Sequence, residues 1–329
     1  MRSSPSRWQE RALSWFMTLG IPYALIWEGL VVLPSYYSSF SPVIFLHVLM
    51  GGYLVFIILL NFSKVIHIDT AVKPTVHIGC GNMAGVPFCP SCQVMQPVRS
   101  YHCSTCKTCI EKRDHHCIFT GCCVGLRNHR YFVSGVLAVF VGALYGLVYE
   151  WSMVVAAAGG YSLWLPVQLL APHLVLPFGV LDLWGFVACA HHMLGTAVLV
   201  NAGVILYTQL SALLRGQTQY ERKHRLREFD RGWQQNVQSV LGHRWLLALL
   251  WPLAQSSLPP DGADTEDGDA SASQPAAGDA AVPDAGVPPA VPSVRGEAVP
   301  AGLCGPARAE RLDSARQGLT RRGAKPFEL

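Results

Sequence analysis

The chain has 329 residues; 51% are apolar, 14% are charged, and the formal net charge is +4. A soluble chain of this size usually carries nearer a quarter charged residues, so the composition points to a membrane protein. The small positive balance, with no basic face laced with aromatics, argues against a nucleic-acid partner.

Residues 1–13 carry Arg2, Arg7 and Arg11 and are expected to be a cytosolic N-terminus. They lack the short apolar core and small-residue cleavage site of a signal peptide, so the first apolar run is expected to be retained. Crossing the hydrocarbon layer takes about 20 mainly apolar residues. Residues 14–36 and 42–62 meet that length, and the block 14–62 reads as two transmembrane helices. A polar, Cys-rich segment fills 63–130. Residues 131–155 and 183–210 then supply two further spans within the block 131–210. The stretch 161–180 is apolar but carries Pro166, Pro172 and Pro177. Proline at that density opposes a regular lipid-facing helix, so 159–182 is expected to be a luminal or interfacial loop.

Charge sets the expected orientation. Lys and Arg are absent from 131–214 and return at Arg215, Arg222, Lys223, Arg225 and Arg227. The positive-inside rule puts the three basic regions, and with them both termini, in the cytosol. Asn61-Phe-Ser63 then lies at the cytosolic end of the second span, where its sequon is expected to stay unglycosylated. Glu28, Glu150, His191, His192 and Asn201 fall inside spans; hydrogen bonding between helices, or a place near a membrane face, is the expected use of such groups, with a proton or ion path the competing one.

Residues 211–255 read as a cytosolic juxtamembrane segment. Within it, 245–251 is too short to span and is expected to lie in the interface, anchored by Trp245 and Trp251. From 256 to 329 the chain is rich in Ala, Pro, Gly and Asp and is expected to be a disordered tail, with Cys304 a spectator.

The chemistry concentrates between Cys89 and Cys123. Two Cys-x-x-Cys units, Cys89/Cys92 and Cys103/Cys106, can each place two thiolates on one metal from a tight turn. Tetrahedral structural zinc needs two more ligands per site, drawn from His102, Cys109, His115, His116, Cys122 and Cys123. One consistent partition groups Cys89, Cys92, His102 and Cys109, and separately Cys103, Cys106, His116 and Cys123. Spacing does not decide the pairing. That partition leaves Asp114, His115 and Cys117 outside the metal sites. A Cys beside a His, with an Asp to orient the imidazole, is the arrangement that makes a thiolate nucleophile; extra zinc ligation is the competing use.

Asp114-His115-His116-Cys117 inside this frame resembles the DHHC family of protein S-acyltransferases (palmitoyltransferases). The frame agrees: Cys89-x2-Cys92, Pro97-x-Arg99-x2-His102-Cys103-x2-Cys106-x2-Cys109-x4-Asp114, then Cys123-Val-Gly125-x2-Asn128-x3-Phe132. The resemblance covers roughly 10–245. After the fourth span, Thr218-Gln219-Tyr220-Glu221 resembles the family's Thr-Thr-x-Glu motif, and Asn236-x3-Val240-Leu-Gly242 a later segment. It implies an all-α polytopic membrane protein with four transmembrane helices and a small cytosolic two-zinc Cys-rich domain between spans 2 and 3. It also implies Cys117 as nucleophile, His115 as general base, Asp114 as orienting carboxylate and the eight partitioned residues as zinc ligands. The implied activity is transfer of a fatty acyl group from acyl-CoA to Cys of membrane-associated proteins, in an endomembrane such as the ER or Golgi. Three residues depart from the family: Ile118-Phe119 where Pro-Trp is usual, and Cys122 where Asn is common. The Ile118-Phe119 change motivates the alternative of a weak or inactive membrane zinc scaffold.

Overall fold

A computed structural model describes residues 7–38, 41–73 and 87–258. Within them are four helices long and apolar enough to cross a membrane: Ala12–Tyr36, Pro42–His67, His129–Ala157 and Leu183–Leu213. They are referred to below as the first to fourth spans. Each contains the run of apolar residues seen in the sequence and extends it by a few residues. Among the described residues the remainder is short helices and three small hairpins, so the protein is mostly helical, with its Cys-rich segment between the second and third spans.

Local chemistry fixes the span ends. Ser41 caps the second span, its hydroxyl accepting from the Ile44 N–H at 3.4 Å, and Pro42 follows where a missing N–H costs nothing. Asp182 caps the fourth span through the Gly185 N–H at 2.6 Å. A Cβ on Gly185 would lie 2.5 Å from the Ala157 carbonyl oxygen, so glycine lets the start of the fourth span meet the end of the third. The first span changes to a π-turn at Glu28–Val32. Between the third and fourth spans, the chain makes helices Leu165–Leu170 and Pro172–Val175 and a tight turn Leu176–Phe178. Pro172 and Pro177 break the run where proline can neither donate nor continue a helix.

The third span packs against the second and fourth. Leu46, Val148, Val200 and Val204 are exposed on the bundle surface, the side lipid would cover. Several polar groups of the spans meet between the helices. The buried Glu150 carboxylate accepts from Trp27 Nε1 at 3.3 Å and pairs with His192 Nδ1 at 2.9 Å and His191 Nε2 at 3.3 Å. Tyr23 hydroxyl meets His191 Nδ1 at 3.0 Å. These contacts join the first, third and fourth spans, as expected of interhelical hydrogen bonds. Asn201 bonds back to its own helix at Ala197 O.

The segment after the fourth span is described as far as 258, past the expected start of the tail at 256. The segment after Arg244 forms a helix, Trp245–Leu250, that docks on the bundle. Ser134 Oγ donates to Ala248 O at 3.3 Å, and Tyr53 hydroxyl to Leu250 O at 2.6 Å. Ser256, placed in the tail by composition, is buried and holds Leu241 O and the Arg244 N–H. Residues 259–329, including Cys304, lie outside the described residues, as do 1–6. Asn61 is fully buried, donating to Ile57 O at 3.0 Å, so a glycan there is incompatible with this packing.

A sharper test of orientation uses exposed positions separated by one span. Leu163 precedes the fourth span and is almost fully exposed; Glu228 follows it and is exposed. In sealed microsomes, a thiol at Glu228→Cys should react with a membrane-impermeant maleimide at once. A thiol at Leu163→Cys should react only after detergent is added. Labelling of both before detergent would contradict the four-span arrangement, and the reverse order would invert it.

Candidate active site

The Cys-rich segment is three antiparallel hairpins in series. Strands β1 (Phe88–Cys89) and β2 (Val94–Met95) pair first, then β3 (Tyr101–Cys103) with β4 (Thr108–Ile110), then β5 (His115–Cys117) with β6 (Cys122–Val124). They are near-copies. Cys89, Cys103 and Cys117 recur every fourteenth residue and each ends the first strand of its hairpin. Each Cys carbonyl accepts from the residue four later: Gln93 at 2.8 Å, Lys107 at 2.7 Å and Gly121 at 2.9 Å. Those three residues all have positive φ, at 55°, 56° and 65°. Each turn therefore curls back over its own cysteine.

The hairpins interlock. His102 and Cys109 are cross-strand partners in the second hairpin, and His116 and Cys123 in the third. Each such pair meets the Cys-x-x-Cys turn of the hairpin before it. Cys89, Cys92, His102 and Cys109 form one group and Cys103, Cys106, His116 and Cys123 the other, with ligand atoms within 4.8 Å of one another in each. Tetrahedral zinc, with bonds of about 2.3 Å to sulfur and 2.0–2.1 Å to nitrogen, sets ligand–ligand edges of roughly 3.6–3.8 Å. His102 Nδ1 lies 3.6 and 3.2 Å from Cys89 and Cys92 Sγ. His116 Nδ1 lies 3.8, 3.2 and 3.7 Å from Cys103, Cys106 and Cys123 Sγ, and Cys106 and Cys123 Sγ are 3.6 Å apart. Both groups fit a zinc ion, whose role there would be to staple hairpins too small to hold a core.

The third turn has no following hairpin to supply a His/Cys pair; the third span begins at His129 instead. Its second metal-binding position is Thr120, in place of Cys92 or Cys106. Cys117 therefore stands in the mould of a metal-binding turn without a metal site to join. The Thr120 hydroxyl and backbone N–H both hydrogen-bond its sulfur.

Strand pleat sorts the remaining residues. Successive side chains in β5 point to opposite faces, so His116 faces the metal group while His115 and Cys117 face away. His115 Nδ1 pairs with Asp114 Oδ2 at 2.7 Å, leaving its other ring nitrogen to hydrogen-bond the Cys117 thiol. The imidazole meets the Phe132 ring edge-on at 4.9 Å. The helix ends hold Asp114 from the far side. Its buried carboxylate accepts from Gln209 Nε2 at 2.8 Å and the Gln219 N–H at 2.7 Å, with His129 Nε2 3.9 Å away.

These contacts set the protonation states. Burial alone would raise the Asp114 carboxyl; nearby His129 and the hydrogen bonds from His115 and Gln209 outweigh it and hold it well below the usual carboxylate range. Burial alone would lower His115, but Asp114 and Cys117 push it up to about 9. Burial would raise the Cys117 thiol, yet His115 and Thr120 bring it below the ordinary thiol range. The result favours a thiolate–imidazolium pair, shielded by Val65, Val124, Tyr131, Phe132 and Val136.

A second set of contacts fixes the hairpins to the bundle. Arg99 forks onto Glu221 with two bonds of 2.7 Å, reaches Gly216 O at 2.9 Å and stacks over Phe229. Glu221 is fully buried and completes a capping box with Thr218. Removing one partner of a buried bidentate pair costs about 3–5 kcal/mol. Asn128 Nδ2 ties Val65 O to Cys123 O, linking the second span to the third hairpin. A Cβ on Gly125 would lie 2.6 Å from Glu111 O, so only glycine fits that crossing.

All eleven site residues expected from the sequence fall in three adjoining groups. Ile118 and Phe119 leave the hairpin register intact, and Phe119 packs against the apolar wall beside Cys117. Cys122 does not join the metal group; the pleat turns it to the Cys117 face, where its Sγ lies 3.6 Å from Val65 O and 3.3 Å from the Thr120 hydroxyl. Sequence reasoning missed Gln209 and Thr120. A further polar residue near the end of the fourth span marked the first, and the fourteen-residue recurrence marked the second.

The fold and site define a multi-span membrane protein with two zinc-ready Cys3His groups beside a Cys–His–Asp constellation. Residues 84–225 match the family model of the DHHC palmitoyltransferase. Among similar proteins, "Probable palmitoyltransferase ZDHHC24" of Rattus norvegicus is 31% identical over 66% of this chain and 77% of its own length. Its Homo sapiens counterpart is 33% identical over 61% of this chain and 72% of its own. "Palmitoyltransferase ZDHHC22" of Mus musculus is 47% identical over 45 residues, 14% of this chain and 17% of its own. The chain belongs to the DHHC palmitoyltransferase family.

Two outcomes follow from this geometry. Metal analysis should give two zinc ions per folded chain; Cys123→Ser should lose one and Cys122→Ser neither. Each structural zinc contributes on the order of 10 kcal/mol to such folds, so Cys123→Ser should also unfold at markedly lower temperature. For ionisation, a lowered thiol pKa means that more of the Cys117 thiol is ionised at a given pH than in an ordinary cysteine, and the thiolate is lost as pH falls. The midpoint for alkylation of Cys117 by iodoacetamide should therefore lie below that of an ordinary thiol. In Asp114→Asn the imidazolium loses its partner, and the alkylation midpoint should move up toward an ordinary thiol. An unmoved midpoint would show that Asp114 does not set the pair.

Proposed function

We propose that the chain is a protein-cysteine S-acyltransferase that carries a fatty acyl group on Cys117. The observation that supports this best is Cys117 itself: a cysteine in a metal-binding turn, left without a metal partner and paired with His115. The names of the similar proteins support the same reading. The donor is a fatty acyl-CoA and the acceptors are membrane-associated proteins with a cytosolic Cys. The protein works from an endomembrane, ER or Golgi, with both termini cytosolic and the acyl chain among the spans. Residues Cys89, Cys92, His102 and Cys109, and Cys103, Cys106, His116 and Cys123, hold two structural zinc ions. Fully ligated zinc offers no open position, so the chemistry falls to the side chains.

In the first step the Cys117 thiolate attacks the acyl-CoA carbonyl. The CoA sulfur leaves and takes the proton held by His115. In the second, His115 accepts the proton of the acceptor thiol, and the resulting thiolate attacks acyl-Cys117. Cys117 departs as a thiolate, again paired with the imidazolium. One thioester replaces another at nearly equal energy, so positioning and proton handling are the protein's contribution. Asp114 acts by orienting His115 and stabilising its charge.

Purified protein incubated with labelled palmitoyl-CoA tests this directly. Cys117→Ser should abolish hydroxylamine-sensitive label while keeping two zinc ions. His115→Ala should slow labelling or transfer by about a hundred- to ten-thousandfold. If wild type takes no label but Ile118→Pro with Phe119→Trp does, the natural chain is a zinc scaffold that has lost transfer. Label persisting on another Cys in Cys117→Ser would overturn the assignment.

A further inference from the structure

We propose that Cys117 and Cys122 form a reversible disulfide when a hydroperoxide reaches the site, with Cys117 as the peroxide-reacting sulfur and Cys122 as the resolving thiol. The proposal rests on the reading of Cys117 as the reactive thiol. Its independent ground is the register of the third hairpin, where Cys117 and Cys122 are direct cross-strand partners.

Directly opposed residues in an antiparallel pair have Cα atoms about 4.5–5.5 Å apart and side chains on the same face. A disulfide needs Cα separations of about 4.4–6.8 Å. The two sulfurs share a neighbour: the Thr120 hydroxyl contacts Cys122 Sγ at 3.3 Å and hydrogen-bonds Cys117. Both side chains pack in the apolar cluster around Val65 and Phe132. Cys122 is half-buried and outside the metal groups, so using it removes no ligand. Cys123 is turned the other way, with its Sγ 3.6 Å from Cys106 Sγ.

The chemistry balances in two steps. The Cys117 thiolate attacks one peroxide oxygen, the O–O bond breaks, and the sulfur is oxidised to sulfenic acid while the peroxide is reduced to hydroxide or an alcohol. The Cys122 sulfur then attacks Cys117 sulfur; the S–O bond breaks, water leaves, and its proton comes from the Cys122 thiol. The ring closed spans only the four residues 118–121, so it gains little from loop closure and a dithiol reductant should reopen it. The bridge protects Cys117 from irreversible oxidation to sulfinic and sulfonic acids.

Trypsin should release residues 114–127, which contain Cys117, Cys122 and Cys123, as one peptide. The zinc-loaded full chain in detergent micelles would be treated with hydrogen peroxide, alkylated without reduction and digested. The expected result in wild type is a peptide lighter by two hydrogens with only Cys123 alkylated. Two zinc ions should remain, and autoacylation should be lost and then restored by dithiothreitol. Cys122→Ser should acylate normally before treatment, form no bridge, and lose autoacylation in a way dithiothreitol does not reverse. A bridge through Cys123 with loss of zinc would overturn the proposal, as would equal recovery in wild type and Cys122→Ser. Normal autoacylation with no bridge sinks this inference alone. A Cys117–Cys122 bridge in a chain that takes no acyl label leaves it standing and sinks the acyltransferase reading.

Discussion

In the third hairpin, the pleat of a β-strand separates three adjacent residues with different tasks. His115, His116 and Cys117 follow one another, yet His116 turns to the metal group while its neighbours turn to the opposite face. Each function depends on the other. A metal held on one face would fix the strand, and the fixed strand would fix the imidazole against the thiol. A slip of one residue would send every side chain to the wrong face. Cross-strand pairing of His116 with Cys123, which places two ligands on one group, guards against that slip.

The hairpins would be small and isolated without the membrane helices. Their main tether to the bundle runs through buried polar groups. Asp114 takes hydrogen bonds from His115, Gln209 and the Gln219 backbone, so one carboxylate joins the third hairpin to the end of the fourth span. Arg99 and Glu221 make a second tie, and Asn128 a third to the second span. Buried carboxylates are costly unless satisfied, and both of these are. The position of Cys117 against the ends of the spans follows from those ties. Its shielding cluster mixes hairpin residues with Val65, Tyr131, Phe132 and Val136 of the spans.

The polar groups of the spans form a separate system. His192 lies seventeen residues before Gln209 in the fourth span, about 26 Å along the helix. Glu150, His191, His192, Trp27 and Tyr23 therefore tie the helices together at the end away from Cys117. Two cavities of about 330 and 340 Å³ open beside His192 and Trp151. They are remote from the thiol.

Composition and periodicity by themselves determined the four spans, because twenty apolar residues in a row leave the backbone few alternatives. They also determined which residue types bind metal, since Cys-x-x-Cys turns are local. Spacing left open how eight ligands divide between two groups; interlocking decided it, through the pairs His102–Cys109 and His116–Cys123. It left Cys122 as a rival to Cys123; the pleat decided that. The docking of Trp245–Leu250 on the bundle was illegible because a six-residue apolar helix reads alike at an interface and in a groove. Gln209 and Asp114 are ninety-five residues apart in sequence, and only the folded chain brings them to 2.8 Å. Long-range hydrogen bonds leave no period in a sequence, so these were decided by the tertiary structure alone.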